Sequence, residues 1–288
     1  MTTTASPVRA AASETPHFFE SAGRPLFAVH HAAVPGRARP PVVVHVHGVG
    51  VEQITLYRAE VQSARAAAAA GFPVFRYHAR GHGDSAGDFA AVTIETLVED
   101  ALAAAAAARR ASSAADVIWV GARFGALVAA LAAARAGAAR GLALWEPVHR
   151  PDDYFRAQLR SLLFSQVAAG RRPDATVDEL MTRCERDGAV DVNGYLLHRE
   201  LVASCAGSDL TAALASHRGA LFLAQIQARP RLSPANAALA ATIEARGQRV
   251  TTLCVAEEPG WQFMQNPAWE CDALARGMRE WLDALARD

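Results

Sequence analysis

Short apolar runs alternate with helical stretches along most of this chain, and that alternation limits the fold more than any other feature. Pro41–His47 (PVVVHVH) is a β-branched run of the kind found in a strand covered on both faces. It ends at Gly48-Val49-Gly50, and a helical stretch follows to Ala70, stopped by Gly71. The pattern then recurs: Pro73–His78 reads as a strand, Thr93–Arg110 as a helix, Asp116–Val120 as a strand, Phe124–Ala136 as a helix closed by Gly137, and Leu142–Trp145 as a strand. Ala220–Ile226 and Val250–Val255 are further strands, each followed by a helix. Such alternation implies right-handed crossovers and a mostly parallel sheet with helices on both faces. Ahead of it, His17–Ser21 and Pro25–Ala32 are joined by the turn Ala22-Gly23-Arg24 and would add an antiparallel edge hairpin.

The alternation fails between Pro147 and Arg218, a polar and helical stretch. So long a connection is usually functional. It is expected to form a helical lid over the carboxyl ends of the strands, where an open α/β sheet binds its ligand. The expected organisation is a loose tail over 1–15, a first part of the core over 16–148, the lid insertion over 149–218 and a second part of the core over 219–288.

Composition removes several classes of function. The 288 residues are 51% hydrophobic and 20% charged, enough for a core, and the formal net charge is zero, so no global field draws in nucleic acid or an anionic membrane. Every one of the 29 basic residues is Arg. Without Lys there is no Schiff-base amine, no pyridoxal-phosphate chemistry and no Walker A loop. Cys184, Cys205, Cys254 and Cys271 lack CxxC spacing and read as reduced, buried thiols. Met1–Thr15 lacks the cationic start and apolar run of a signal peptide, and Arg109, Arg135 and Arg140 interrupt the Ala-rich stretches too often for a membrane span. A soluble, cytoplasmic protein without metal or cofactor is expected. The pairs Arg109-Arg110 and Arg171-Arg172 read as solvated surface.

One motif decides the class. Gly121-Ala122-Arg123-Phe124-Gly125-Ala126 follows a buried strand and opens a helix, with the G-x-nucleophile-x-G spacing of a nucleophile elbow and Arg where Ser would stand. Small residues are required there because strand and helix backbones nearly touch. His47-Gly48 ends the earlier strand, where such folds place an oxyanion-hole amide, and Arg80-Gly81-His82-Gly83-Asp84-Ser85 matches the RGHGxS turn. Together they predict the α/β-hydrolase fold. The competing reading takes Gly48-x-Gly50 as a dinucleotide fingerprint, but position 53 is Gln and the next strand ends without an acid for a ribose.

Acyl hydrolysis needs a nucleophile, an imidazole and a carboxylate. Arg123 is always charged and cannot attack a carbonyl. The turn expected to hold the base reads Gly260-Trp261-Gln262-Phe263, no His occurs after His217, and the segment expected to hold the acid reads Gln227-Ala228-Arg229. A buried cation at a helix N-terminus requires an anion. Glu146 is the candidate, with Glu257, Glu258 and Asp84 as alternatives. Such a pair either plugs a dead nucleophile pocket or leaves Arg123 and the helix amides to bind an anionic ligand. The candidate ligand-binding set is Arg123, Phe124, His47, Gly48, Glu146 and Trp261, and the candidate acids and bases are Glu146, Glu257, Glu258, His82 and Asp84. His47 and His82 either shuttle protons or brace their loops, and Asp84 reads as a turn carboxylate. His45 shares a strand face with His47, but no third ligand accompanies them. Ser85 lies off the elbow, and Trp261 and Phe263 read as packing or as a ligand platform.

GHGDSAGDF (residues 81–89), GARFGA, LALWEPV (142–148), NGYLL (193–197) and EEPGW (257–261) resemble the exosortase A system-associated hydrolases, chiefly their type 2 branch, over residues 40 to 270. The resemblance implies an α/β-hydrolase fold with Arg at the elbow and a link through gene neighbourhood to bacterial exopolysaccharide production and protein sorting. The segment after His47 is closer to ordinary α/β hydrolases. The expected function is that of an accessory pseudoenzyme binding a small anionic or acyl-containing ligand. The alternative is a hydrolase or transferase acting on ester, thioester or acyl-sugar substrates through carboxylates and Arg123.

Overall fold

A computed structural model describes residues 13–36, 40–137, 139–260 and 269–287. The chain begins with an antiparallel hairpin, β1 (Glu14–Ser21) and β2 (Arg24–His31), in which Ser21 pairs with Arg24 across the predicted turn. Glu14 and Thr15, expected in the tail, are paired with His31 and His30. The Arg65 guanidinium donates to Glu14, which helps hold this first residue of the strand.

The core then runs β3 (Val42–Val46), α1 (Val51–Ala69), β4 (Val74–Tyr77), α2 (Ile94–Ser112), β5 (Val117–Ala122), α3 (Phe124–Ala136) and β6 (Gly141–Trp145). A capping box between Thr93 and Thr96 starts α2, and Gly137, at φ 78°, closes α3 in the left-handed conformation. Four helices, α4 (Pro151–Ala168), α5 (Val177–Asp187), α6 (Arg199–Ser204) and α7 (Leu210–Ala213), fill the long connection. Between α5 and α6 lies a two-stranded hairpin, β7 (Ala189–Val192) and β8 (Tyr195–His198). The insertion expected as a helical lid thus holds a hairpin as well as helices. Asn193-Gly194, both with positive φ, form the tight turn that joins two strands.

The core resumes with β9 (Ala220–Ile226), α8 (Pro234–Glu244), β10 (Val250–Val255) and α9 (Asp272–Leu285). The eight core strands lie in the order β1-β2-β4-β3-β5-β6-β9-β10. All pairings from β4 through β10 are parallel, and the opening hairpin is antiparallel. Apolar clusters cover both faces: one packs Trp119, Phe124 and Leu144 beneath α2 and α3, the other packs Ile118, Trp145 and Phe222 beneath α1 and α9. This is why β3, β5 and β6 read as continuous apolar runs rather than alternating ones. A third cluster, with Leu159, Leu180 and Cys184, gives the insertion its own small core. Among the described residues no helix is long and apolar enough to cross a membrane.

Candidate functional site

The chain turns from β5 into α3 at Arg123, which holds φ 53° and ψ −120°. A side-chain-bearing residue at such angles is strained by about 1–3 kcal/mol. The surroundings over-determine it. The Arg123 amide donates to the Trp145 carbonyl (2.8 Å), and the Arg123 carbonyl accepts from Ala126 (3.0 Å) and Val148 (3.3 Å). A Cβ on Gly121 would press into the Gly125 carbonyl and Ala126, and one on Gly125 into the carbonyls of Val46 and His47. The glycine spacing therefore reflects backbones in contact, and Arg123 stands at the point of the elbow.

Its charge is met by Glu52, in the first turn of α1. Arg123 Nε donates to Glu52 Oε1 at 3.0 Å. The same carboxylate accepts from the Tyr154 hydroxyl (2.9 Å) and from Gln158 Nε2 (3.0 Å), both on α4. Glu52 is 2% exposed and Arg123 21%. The guanidinium also donates to the Glu146 carbonyl at 3.1 Å and lies 5.8 Å from the Tyr154 ring centre, within cation–π range. Burial alone would depress the Arg123 guanidinium, but Glu52, with Tyr154 and Glu146, outweighs burial and holds it above the usual arginine value. Burial, reinforced by Glu52, pushes the Tyr154 phenol well up, so it stays a donor. A Cβ on Gly48 would lie 3.3 Å from Glu52 Cβ, which places this carboxylate beside the loop where an acyl oxyanion would be expected to sit.

The expected pairing of Arg123 with the Glu146 carboxylate is therefore corrected. Glu146, at φ 45° just beyond β6, offers Arg123 its carbonyl, while its carboxylate turns to the Ile226 amide. Burial raises its pKa, against the opposing pull of that amide and of Arg123. The alternatives are corrected too. Glu257 neighbours the Cys271 thiol, which burial pushes up to about 11. Glu258 is exposed. Asp84 is exposed on the turn after β4, its amide donating to His78 Nδ1 at 3.2 Å. No position in the sequence forecast Glu52 as the partner, although an acid in the first turn of a helix was there to be noticed.

His47 braces its loop. Its Nδ1 lies 2.6 Å from the Gly48 carbonyl and its Nε2 accepts from the Ala79 amide at 3.1 Å, while burial holds its pKa well below the usual value. His82 Nδ1 lies 3.0 Å from the Arg80 carbonyl, and burial pushes the ring down to about 4. His45 packs edge-on against Trp145. Ser85 Oγ donates to the His78 carbonyl (2.6 Å) and accepts from the Phe27 amide (2.8 Å), so its proton is engaged by the backbone. Arg80 is held by buried Asp100, with contacts from 2.7 to 3.1 Å, and fixes the RGHGxS turn to α2. Phe124 is buried against Tyr154 and Phe155. Trp261 and Phe263 lie outside the described residues.

Two cavities meet at Gly50, Phe89 and Tyr195, beneath the insertion. One is an apolar slot of about 40 Å³ among Val51, Tyr154, Phe155, Val192, Leu197 and Leu201. The other is a wider cleft of about 550 Å³ that adds Gln53, Tyr57, Arg58, His78 and His82. Neither is lined by Arg123 or by any carboxylate. Tyr154 and Gln158, which hold the Glu52 carboxylate, also line the slot.

Residues 38–228, well over half of the chain, match the family described as Serine aminopeptidase, S33. The chain belongs to this family. Its α/β-hydrolase fold is shared with solved structures at low identity. Est1E from Butyrivibrio proteoclasticus with bound ferulic acid superposes at TM-score 0.68, with 16% identity over 94% of this chain and 100% of that one. The Pyrococcus furiosus esterase Pf2001 gives 0.62, with 11% identity over 100% and 93%. An AqdC variant, in complex with the Pseudomonas quinolone signal whose ring it cleaves, gives 0.57, with 15% identity over 95% and 100%. No curated protein sequence matches the chain.

Proposed function

We propose that this S33-family chain is an accessory, ligand-binding protein that has lost serine-hydrolase chemistry. The reading rests on one observation: the elbow carries Arg123, neutralised by the internal carboxylate of Glu52. A guanidinium has no lone pair to offer a carbonyl, and the sequence supplies no His after His217 to serve as base. An α/β-hydrolase stripped of its triad retains roughly 10³–10⁴-fold acceleration over water, far below what turnover requires.

The ligand is an acyl- or aryl-bearing small molecule seated in the slot, with its polar end in the cleft near Gln53 and His78. An anionic ligand held directly by Arg123 fits less well, because Glu52 already fills that role. The resemblance to exosortase A-associated hydrolases supports a place in bacterial exopolysaccharide assembly or protein sorting. The alternative, a hydrolase or transferase using Glu146, Glu257 or Glu258 as base, lacks a carboxylate in either cavity wall.

The test is calorimetric titration with p-nitrophenyl butyrate, followed by assay for p-nitrophenolate. Saturable binding without release above the blank is expected, and Val51→Trp, which fills the slot, should abolish it. Saturable turnover, or binding indifferent to Val51→Trp, would overturn the proposal.

A further inference from the structure

The insertion carries a second feature, independent of the elbow and its cavities. Of the large apolar side chains that stand out into solvent, Phe164 (73% exposed) and Val167 (57%) lie on the second half of α4, three residues apart and hence on one helix face. Arg160, four residues before Phe164, shares that face. Arg171 and Arg172 follow just past the helix end, beyond Gly170.

These arginines differ from most others of the insertion, although Arg218, at its far end, donates only to backbone carbonyls. Arg150, Arg156, Arg183, Arg186 and Arg199 each meet a carboxylate, at 2.6 to 4.0 Å. Arg160, Arg171 and Arg172 have no carboxylate partner among the described residues. Asp191, across the neighbouring hairpin, accepts instead from the Gly194 amide of its own turn. The net charge of the whole chain is zero, yet this end of α4 joins an exposed Phe and Val to three unneutralised guanidiniums.

We propose that this stripe docks the protein on an anionic lipid bilayer, with Phe164 and Val167 entering the headgroup boundary and Arg160, Arg171 and Arg172 meeting lipid phosphates. Basic residues around a narrow apolar face are the pattern of a helix lying in the membrane interface. The stripe is two apolar side chains wide, far less than a stable protein interface needs, whereas interfacial binding draws on just such a small insertion plus charge. Long arginine side chains reach the phosphates while the ring beneath them goes deeper. The consequence is geometric. Leu196, on the adjoining hairpin, is 49% exposed and also lines the rim of the slot, so docking brings that rim towards the lipid surface.

Co-sedimentation of the full chain with phosphatidylcholine vesicles, pure or containing roughly one-third phosphatidylglycerol, tests this. Binding to the mixed vesicles alone is expected, falling as salt rises. Each Arg→Gln change at 160, 171 or 172 should weaken it about five-fold, and the triple change about a hundred-fold. Phe164→Ser should weaken it while leaving the unfolding midpoint in place, since the side chain is already in water. Absence of binding, equal binding to neutral vesicles, or binding unmoved by these variants would overturn the proposal. So would a dimer in solution that Phe164→Ser dissociates, which would make a second copy the occupant.

Discussion

Replacing Glu52 by Ala probes the elbow pair most sharply. The carboxylate is buried and accepts from Arg123, Tyr154 and Gln158 together. Removing one partner of a buried ion pair costs about 3–5 kcal/mol, because the other charge is left uncompensated. Arg123 keeps the Glu146 carbonyl and part of its exposure, which favours the lower end, about 3 kcal/mol. The Tyr154 hydroxyl, deprived of its acceptor, adds about 1 kcal/mol. A total near 4 kcal/mol should lower the thermal midpoint by roughly 7 °C in a chain of 288 residues. The assay is urea unfolding of the wild type, Glu52→Ala, Arg123→Ala and the double variant. A coupling energy of about 2 kcal/mol or more is expected, with the double variant more stable than the singles would predict if they added. A loss under about 1 kcal/mol for Glu52→Ala, the figure for an exposed pair, or additivity within about 0.5 kcal/mol, would refute the reasoning.

The remaining predictions concern backbone, catalysis and titration. Gly125→Ala should cost about 3 kcal/mol or more, read by urea unfolding, because its Cβ meets the Val46 and His47 carbonyls. Arg123→Ser should leave p-nitrophenyl ester hydrolysis within about ten-fold of the parent rate, since restoring a hydroxyl does not supply a base; a burst of one equivalent would show an unrecognised base. Acid should destabilise the fold between about pH 6.5 and 4. Burial holds His31 and His82 at about 4 and His45 at about 3, so over that window the unfolded chain binds protons that the folded one refuses. Glu60 acts in the opposite sense: burial raises it to about 8, and stability attributable to it falls as pH rises from about 4.5 to 8. Glu60→Gln should therefore raise the unfolding midpoint at pH 8 relative to wild type and leave it little changed at pH 4.5.

The sheet and its crossovers were legible because β3, β5, β6 and β9 are buried on both faces, and that environment leaves its mark on consecutive residues. The elbow was legible for a related reason: two backbones in contact exclude side chains at Gly121 and Gly125. The partner of Arg123 was not legible. Glu52 lies 71 positions away and meets Arg123 only after β3 and β5 pair and bring the starts of α1 and α3 to the same edge of the sheet. Glu146 was nearer in sequence, but its positive φ turns the carboxylate towards β9. Tyr154 and Gln158, one turn apart on α4, showed no sign of a shared acceptor until the insertion folded over the core. The β7–β8 hairpin was within reach, since Asn193-Gly194 between β-branched and apolar residues is a strong turn signal; the helical character of its neighbours obscured it.

The most direct test of a disarmed elbow is intact-mass analysis after incubation with an alkyl fluorophosphonate, which phosphonylates an activated hydroxyl. The protein should emerge at its unmodified mass, because Arg123 cannot attack and Ser85 is held by two backbone hydrogen bonds. A stoichiometric phosphonyl adduct would contradict the account.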